Sequence, residues 1–310
     1  MEFENKPKTA DCTVAALIIN WNGTEDTIEL LKSLDEVRPQ NIQLTAVIID
    51  NASSPENKEK LKSFIKNWDK FSVLYRENAI NIGIPGAYNQ AIQIVGIDFD
   101  YYLRLDNDVI LTKNGLPDMI KILEEKKHLG AGIAGGNIKY YDKRDENNGG
   151  AVNFDLVRGI SKIEYPESEV ECGGVLGCIM LISGETIRLT TPDVFDSTLF
   201  IVTDESELSF KAKEKNIKTY YTPNIIGYHK AGRSTGKVKL ATYYFMARNW
   251  FFLRMKYTHS FWGKMGIVFW SLLYIPITLI KRRKGYTRGI ISGFFMVASY
   301  SIERYVKNKK

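Results

Sequence analysis

YYLRLDNDVI, residues 101–110, is the stretch of sequence that decides the fold. Its first part is largely apolar or aromatic and predicts a buried strand, and Asp106-Asn107-Asp108 follows where that strand ends. Two carboxylates two residues apart repel each other, and a divalent cation relieves the repulsion. Mg²⁺ and Mn²⁺ favour carboxylates, water and substrate phosphates as ligands. The tripeptide therefore predicts a metal–diphosphate site, although short acidic motifs also occur in solvated turns.

Apolar strands alternate with amphipathic helices along the first two thirds of the chain. Strands that are almost continuously apolar predict a mostly parallel sheet with helices on both faces. Ligands bind such sheets at the carboxyl ends of the strands, where Asn20 and the pair Asp50-Asn51 are expected beside Asp106. Residues 138–172 are polar and are predicted to be irregular. Further strands are predicted at 13–20, 44–49, 71–75, 131–136 and 218–222, and helices at about 56–68, 116–127 and 205–215.

The composition is typical of a folded protein in a reducing compartment. Of the 310 residues, 44% are hydrophobic and 25% are charged, which argues against a disordered chain. Cys12, Cys172 and Cys178 are an odd number of cysteines without the spacing of a metal site, so no disulfide framework is expected. The first ten residues are polar and lack the apolar core of an export signal.

The net charge of +6 conceals a division between an acidic body and a basic tail. Residues 230–310 contain 17 Lys and Arg residues and one acid, a charge of +16, so residues 1–229 carry −10. Such asymmetry indicates nucleic acid or an anionic membrane surface as a partner. The tail also holds two uncharged stretches, 265–280 and 289–302. Both are shorter than the roughly 20 apolar residues of a membrane-spanning helix.

We expect the tail to form helices that lie on, or dip into, the cytoplasmic face of the cell membrane. Aromatic and basic residues mix at 243–257, and a basic cluster at 281–284 separates the two apolar stretches. Both features suit anionic lipid headgroups. Nucleic acid is disfavoured because the basic residues flank apolar runs, and the alternative is a soluble helical subdomain or a homo-oligomer interface. The predicted domains are therefore 1–235 and a membrane-associating region at 236–310.

Five motifs occur in order along the chain: WNG at 21–23 after a strand, DNAS at 50–53, an Asn-x-Gly loop with a later Asn at 81–89, LDND at 105–108, and FD at 195–196 followed by Asp204, Glu205, Glu207, His229, Gly232 and Ser234. Taken together, they resemble the motifs of the inverting glycosyltransferases of family 2, and most closely those of the rhamnosyltransferase-like branch. The resemblance covers roughly residues 13–235. It implies a GT-A fold, in which a Rossmann-like nucleotide-binding half joins an acceptor-binding half.

The same resemblance implies which residues hold the donor and its metal. Asp106, Asp108 and His229 would bind Mn²⁺ or Mg²⁺ together with the diphosphate. Amide and carboxylate groups there would read a uracil-type edge and the ribose hydroxyls. Gly83 would let the backbone approach the nucleotide closely, and Asn89 would face the same pocket. The full implied nucleotide-sugar set is Asn20, Asp50, Asn51, Gly83, Asn89, Asp106 and Asn107.

The acidic pair Asp204-Glu205 carries the implied general base. An inverting transfer needs a carboxylate within hydrogen-bond reach of the acceptor hydroxyl. The family usually has Glu-Asp in this place with the second residue as base, which implies Glu205. Because Glu205 is one methylene longer than the usual Asp, a base at Asp204 or an inactive enzyme remain alternatives.

The resemblance therefore implies a metal-dependent inverting glycosyltransferase. It would move a sugar from a UDP- or dTDP-sugar to a hydroxyl of a glycan or lipid-linked glycan, in cell-surface polysaccharide synthesis. A non-catalytic nucleotide-sugar-binding or membrane scaffold protein is the alternative. A sugar-nucleotide pyrophosphorylase is disfavoured, because the acidic sequence WNGTED follows the first strand where that class needs a Gly-rich basic signature.

Overall fold

The computed structural model describes residues 12–231, 239–280 and 284–307. Several features that were predicted from the sequence lie outside this part of the chain. They are the polar first ten residues, Gly232, Ser234, the domain boundary after residue 235, and three members of the basic cluster, Lys281, Arg282 and Arg283.

Helices and strands alternate through the body, and three long helices follow it. The helices are α1 Thr24–Val37, α2 Pro55–Lys66, α3 Ile84–Val95, α4 Gly115–Glu125, α5 Gly184–Thr190, α6 Asp204–Glu214, α7 Lys239–Tyr257, α8 Phe261–Ile280 and α9 Lys284–Lys307. The strands are β1 Cys12–Asn20, β2 Ile42–Asp50, β3 Ser72–Glu77, β4 Tyr101–Asp106, β5 Val109–Leu111, β6 Ala131–Tyr140, β7 Asn147–Gly149, β8 Ala151–Asp155, β9 Ile160–Glu164, β10 Val170–Cys172, β11 Gly174–Val175, β12 Ile179–Ser183 and β13 Lys218–His229.

One large mixed sheet forms the centre of the body, in the order β10-β13-β6-β12-β4-β1-β2-β3. Its Rossmann-like half is parallel, because β1 pairs in parallel with β2 and β4, and β2 does so with β3. In the other half β13 is parallel to β6, whereas β12 runs antiparallel to its neighbours β4 and β6. The predicted fold, a mostly parallel sheet followed by a helical C-terminal region, is confirmed.

Helices cover both faces of the sheet because neighbouring strand residues point to opposite sides. Ile18 of β1 is buried in a cluster with side chains of α1, α2 and α4. Its neighbour Leu17 is buried in a second cluster with side chains of α3, α5 and α6. A strand that is buried on both faces has to be apolar at nearly every position, which explains the continuous apolar run of β1.

The strand register brings the predicted site residues to one edge of the sheet. Asn20 pairs with Asp50 at the carboxyl ends of β1 and β2. Asp106 pairs with Ile19 at the end of β4. The edge that the sequence predicted as the ligand-binding edge is therefore formed by these residues.

The segment predicted to be irregular, 138–172, instead contains β7, β8, β9 and β10. β8 and β9 pair as an antiparallel hairpin from Ala151 with Glu164 to Asp155 with Ile160. Together with β11 they form a separate three-stranded sheet. The hairpin has the polar sequences AVNFD and ISKIE because most of its side chains are exposed or half-buried.

Helix α7 packs directly on the body. The side chain of Arg254 donates to the backbone oxygens of Leu156, at 2.6 Å, and Val157. Lys256 pairs with Asp196 at 3.1 Å and with the fully buried Glu207 at 3.0 Å. The predicted division of the chain after residue 235 stays a prediction, and the helix beyond it is joined to the body by buried charges.

Helices α8 and α9 expose apolar side chains. Over the described residues, no helix combines the length and the apolar character that a membrane span requires. The most exposed large apolar side chains of these two helices are Phe261, Trp262, Phe269, Leu272 and Phe295.

Candidate functional site

A cavity of about 570 Å³ lies at the carboxyl edge of the sheet. Its walls come from the ends of β1, β4 and β13, the loop before α3, the four residues before α6 and the first half of α7. We call those four residues, Phe200–Thr203, the 200–203 loop. The cavity thus joins the predicted metal site, the acidic pair and the C-terminal region in one space.

Asp106, Asp108 and His229 meet in this cavity, with one possible ligand atom from each lying within 4.8 Å of the others. Strand pairing brings them together, because β5 pairs with β13 so that Val109 stands opposite His229. His229 Nε2 is then 3.1 Å from Asp108 Oδ1. Two carboxylates and an imidazole form a ligand set that fits a divalent cation such as Mn²⁺.

Asn148 fixes the orientation of the His229 ring. Its Oδ1 lies 2.8 Å from Nδ1 of His229. A side-chain amide oxygen only accepts hydrogen bonds, so Nδ1 carries a proton and Nε2 is the nitrogen that faces Asp108. The sequence placed Asn148 only within the polar segment 138–172, and no local signal pointed to this contact.

Burial and nearby charges shift the pKa values of Asp106 and His229. Burial raises the pKa of Asp106, and the positive charges of Arg104 and His229 oppose that rise. Burial lowers the pKa of His229, but Cys178 and Asp108 raise it by more, to about 11. A cation between the Asp108 carboxylate and Nε2 would take the place of the Nε2 proton.

The two acids of the Asp204-Glu205 pair lie in different surroundings. The guanidinium of Arg104 donates to Asp204 Oδ2 at 2.9 Å, and both side chains are buried. Arg104 also lies over the ring of Tyr88, 4.7 Å from its centroid. Glu205 lines the cavity. Burial and the charge of Asp204 raise the pKa of Glu205 to about 7, against the lowering effect of Arg104.

Arg104 was missed as a site residue. The signal was a single Arg inside the apolar strand β4, two residues before Asp106. Its Nε and Nη1 atoms are buried, and within the described part of the chain they have no hydrogen-bond partner. The third acid of the motif, Glu207, does not reach the cavity, because its carboxylate bonds to Lys256 and Tyr257 of α7.

The predicted nucleotide residues divide into those that line the cavity and those that support it. Asn51, Gly83, Asp106 and Asn107 belong to the lining. Asn20 and Asp50 do not, and they are fully buried with Asn20 Nδ2 donating to Asp50 Oδ2 at 2.8 Å.

Asn89 does not face the cavity, contrary to the expectation from the sequence. Its amide donates to Phe195 O at 2.7 Å and accepts from Phe195 N at 3.0 Å. The nitrogen and the oxygen of this amide therefore both bond to the backbone of Phe195, at the start of the Phe195-Asp196 segment. Asn89 positions the chain that leads into the 200–203 loop.

Gly83 lines the cavity, and its lack of a side chain also leaves room for another part of the chain. It has φ +80°, and an added Cβ would lie 2.5 Å from Phe200 O. The amide of the next residue, Ile84, donates to that oxygen at 2.7 Å. The backbone that approaches Gly83 in the structure is thus that of the 200–203 loop.

The 200–203 loop is strained and is held by α7. Phe200, Val202 and Thr203 have φ between 58° and 66°, a region that residues other than glycine rarely adopt. Asn249 of α7 is fully buried, and its side chain donates to the backbone oxygens of Leu199, Ile201 and Val202 at 2.8–3.1 Å. Strained residues persist when surrounding contacts fix them, and they cluster at functional sites.

Comparison with known proteins agrees with this geometry. The profile of the family described as "Glycosyl transferase family 2" matches residues 17–183, more than half of the chain. The match includes the end of β1, the whole of β2 and β4, and Asp106 and Asp108. No curated protein sequence matches the chain significantly.

Several solved structures share the fold at low sequence identity. TarS (residues 1–349) of S. aureus is 14% identical, with a TM-score of 0.56, over 84% of this chain and 72% of that one. The mannosyltransferase PcManGT from Pyrobaculum calidifontis, in complex with GDP-Man and Mn²⁺, is 12% identical, with a TM-score of 0.58, over 92% and 86%. GalNAc-T7 with UDP, GalNAc and Mn²⁺ is 16% identical, with a TM-score of 0.57, over 84% and 54%.

Proposed function

The chain belongs to glycosyltransferase family 2, and from that premise we propose that it is a metal-dependent inverting enzyme. Its donor is a UDP- or dTDP-sugar, and its acceptor is a hydroxyl of a glycan or lipid-linked glycan in cell-surface polysaccharide synthesis. One observation carries the proposal: the Asp106–Asp108–His229 triad and Glu205 line a single cavity. A cation site and a carboxylate base in one space are what a one-step sugar transfer requires.

The transfer is a single displacement at the anomeric carbon of the donor. The acceptor oxygen attacks this carbon on the face opposite the diphosphate, and the bond from carbon to diphosphate oxygen breaks. The acceptor proton passes to the carboxylate of Glu205, and the nucleoside diphosphate leaves with the bonding electrons. A base with a pKa of about 7 is suited to this step near neutral pH, because it is ionised before the attack and holds the proton after it.

Asp106, Asp108 and His229 would hold Mn²⁺ or Mg²⁺. The imidazole ligand suits Mn²⁺ better than Mg²⁺, which favours an all-oxygen set. When bound, the metal supplies positive charge that stabilises the leaving diphosphate. This assignment is supported by the fold neighbours, since the mannosyltransferase was solved with GDP-Man and Mn²⁺ and GalNAc-T7 with UDP and Mn²⁺.

The nucleotide lies against the cavity residues at the ends of β1, β2 and β4. Asn51 is held by Asn81, because its Nδ2 donates to Asn81 Oδ1 at 2.9 Å, and both line the cavity. Because the nitrogen and the oxygen of the Asn51 amide both bond within residues 78–83, Asn51 holds this loop, and the Asn81 amide is the group that can read a pyrimidine edge. Asn20 and Asp50 support this part of the site, whereas Asn89 holds the segment that leads into the 200–203 loop. This arrangement supports a nucleotide-sugar donor and leaves the UDP and dTDP alternatives to the assay.

The C-terminal helices α8 and α9 rest on the cytoplasmic face of the cell membrane in this proposal. Trp262 and Phe295 are 80% and 71% exposed. Exposed aromatic rings next to a basic tail suit the headgroup region of an anionic bilayer. The acceptor in this setting is membrane-bound, as a lipid-linked glycan is.

A donor screen tests the proposed function. The full-length protein is incubated with UDP- and dTDP-sugars, with Mn²⁺ or with EDTA, and the released nucleoside diphosphate is measured. Metal-dependent release from one nucleotide sugar is expected. Absence of release from every donor, together with absence of nucleotide binding by calorimetry, would contradict the proposal.

A further inference from the structure

The cavity has a wall that the donor and the metal do not explain. It is formed by the 200–203 loop and by Ala241, Thr242, Phe245 and Met246 of α7. This wall adjoins the base, because α6 begins directly after the loop and Glu205 is its second residue. None of the described residues in this wall carries a charge.

Two aromatic rings form the centre of this wall. Phe200 and Phe245 stack with their ring centroids 5.3 Å apart and their planes 24° from parallel. Phe200 is 36% exposed although it is a large apolar side chain. The guanidinium of Arg248 lies 4.8 Å from the centroid of Phe245 and donates to the backbone oxygens of Thr198 and Leu199. Both rings line the cavity, and the stack is supported by a cation that also bonds to the backbone just before Phe200.

Several independent contacts fix the position of Phe200. The residue has φ +65°, its oxygen accepts from Ile84 N, and the closeness of its backbone excludes a side chain at Gly83. Asn249 binds the carbonyls on both sides of it. A half-exposed aromatic ring that is held in this way has a role beyond packing.

We propose that the stacked pair Phe200–Phe245 is the acceptor subsite and binds the apolar face of an uncharged sugar ring. This assignment rests on the proposed function, because a molecule bound next to Glu205 is an acceptor only if Glu205 is the catalytic base. One face of a pyranose presents C–H groups, which lie well on the negative face of an aromatic ring. The absence of charge among the described residues of the wall favours the sugar over a phosphate or carboxylate group. A ring on this platform presents its hydroxyls toward Glu205.

Saturation-transfer NMR on the full-length protein tests the subsite without any donor. The probes are methyl glycosides of glucose, galactose and N-acetylglucosamine, with mannitol as a flexible polyol control and octyl glycosides as lipid-tailed versions. We expect ring C–H signals from at least one methyl glycoside with the wild-type protein and with Phe245→Tyr. Phe245→Leu should bind it about fivefold more weakly, within the range for loss of an aromatic contact. Tyr243→Leu, which removes an exposed ring of α7 outside the cavity lining, should bind normally.

Three results would overturn the inference. They are undiminished binding by Phe245→Leu, equal loss in Tyr243→Leu, and binding of octyl but not methyl glycosides, which would assign the platform to a lipid. Donor turnover is measured separately. A protein that turns over a nucleotide sugar yet binds no methyl glycoside refutes the subsite alone. One that binds glycosides through Phe245 but turns over no nucleotide sugar refutes the proposed function alone.

Discussion

The guanidinium of Arg104 donates to the carboxylate of Asp204 at 2.9 Å, and both side chains are buried. This contact distinguishes the surroundings of the two acids in the pair Asp204-Glu205. Both acids line the cavity, but the first is buried and bound to a cation, whereas the second is one methylene longer and only half-buried. The family resemblance left either acid as the base, and the ion pair favours Glu205.

Breaking this ion pair should destabilise the protein strongly. Arg104→Met leaves a buried carboxylate unpaired and should lower the free energy of unfolding by about 3–5 kcal/mol, and Asp204→Leu should do the same by leaving the guanidinium unpaired. The double variant removes both charges and should recover much of the loss. Urea unfolding of the four proteins measures the coupling. Strictly additive losses would show that the two groups do not stabilise each other.

Replacement of Asn148 should weaken metal binding. Asn148→Leu removes the acceptor for the Nδ1 proton of His229, which frees the ring to rotate and to change tautomer. Loss of such a support costs about 10- to 100-fold in metal affinity. Calorimetric titration with Mn²⁺ measures it independently of activity. The matched control is Asn147→Leu, since the Asn147 amide oxygen has no partner among the described residues; equal loss in both variants would contradict the assignment.

Gly83→Ala and Gly96→Ala separate backbone strain from the contact with the 200–203 loop. The two glycines have nearly the same φ, +80° and +84°, but a Cβ at Gly96 meets nothing within 4 Å. Gly96→Ala should cost about 1–3 kcal/mol of stability, because φ +84° with ψ −174° is a backbone conformation that essentially only glycine adopts. Gly83→Ala should cost more and should also reduce sugar transfer, because it displaces Phe200. Equal stability and equal activity of the two variants would argue against this role of the loop.

Removal of aromatic rings from α8 and α9 should release the protein from membranes. Trp262→Ser with Phe295→Ser should reduce co-sedimentation with vesicles that contain anionic lipid, while the fold of the body remains intact. Ile160→Ser, at a 53% exposed position in the β9 hairpin, is the control for general loss of surface hydrophobicity. Unchanged sedimentation of the double variant would contradict the membrane proposal. Deletion of residues 236–310 is a poorer test, because it also removes α7 from the cavity.

The sequence predicted those parts of the site that depend on local pattern. Asn20, Asp50 and Asp106 end apolar strands, and parallel pairing then places them at one edge. His229 lies 121 residues from Asp108, so it was implied only by the family resemblance. The partner of Arg104 could not be predicted, because one Arg in an apolar strand does not indicate which acid it meets. The sequence of helix α7 favoured a membrane surface as its partner, because it mixes aromatic and basic residues. It has no one-sided apolar pattern that would have indicated packing on the body.

The dependence of sugar transfer on pH reports directly on the proposed base. Because burial and Asp204 raise the pKa of Glu205 to about 7, the carboxyl is protonated below that pH and cannot accept the acceptor proton. The acceptor kcat/KM of the wild-type enzyme should therefore rise as the pH increases through about 7 and then level off. Arg104→Met removes a positive charge next to Glu205 and should move this rise to higher pH.

Transfer by Glu205→Gln, measured together with its affinity for the donor nucleotide, tests the central claim most directly. The amide preserves the shape of the side chain but cannot take a proton, so we expect transfer to fall by about 10²–10⁴-fold at every pH while donor and Mn²⁺ binding are retained. Asp204→Asn provides the comparison at the neighbouring acid. Full transfer by Glu205→Gln would contradict the account and would move the base to another residue.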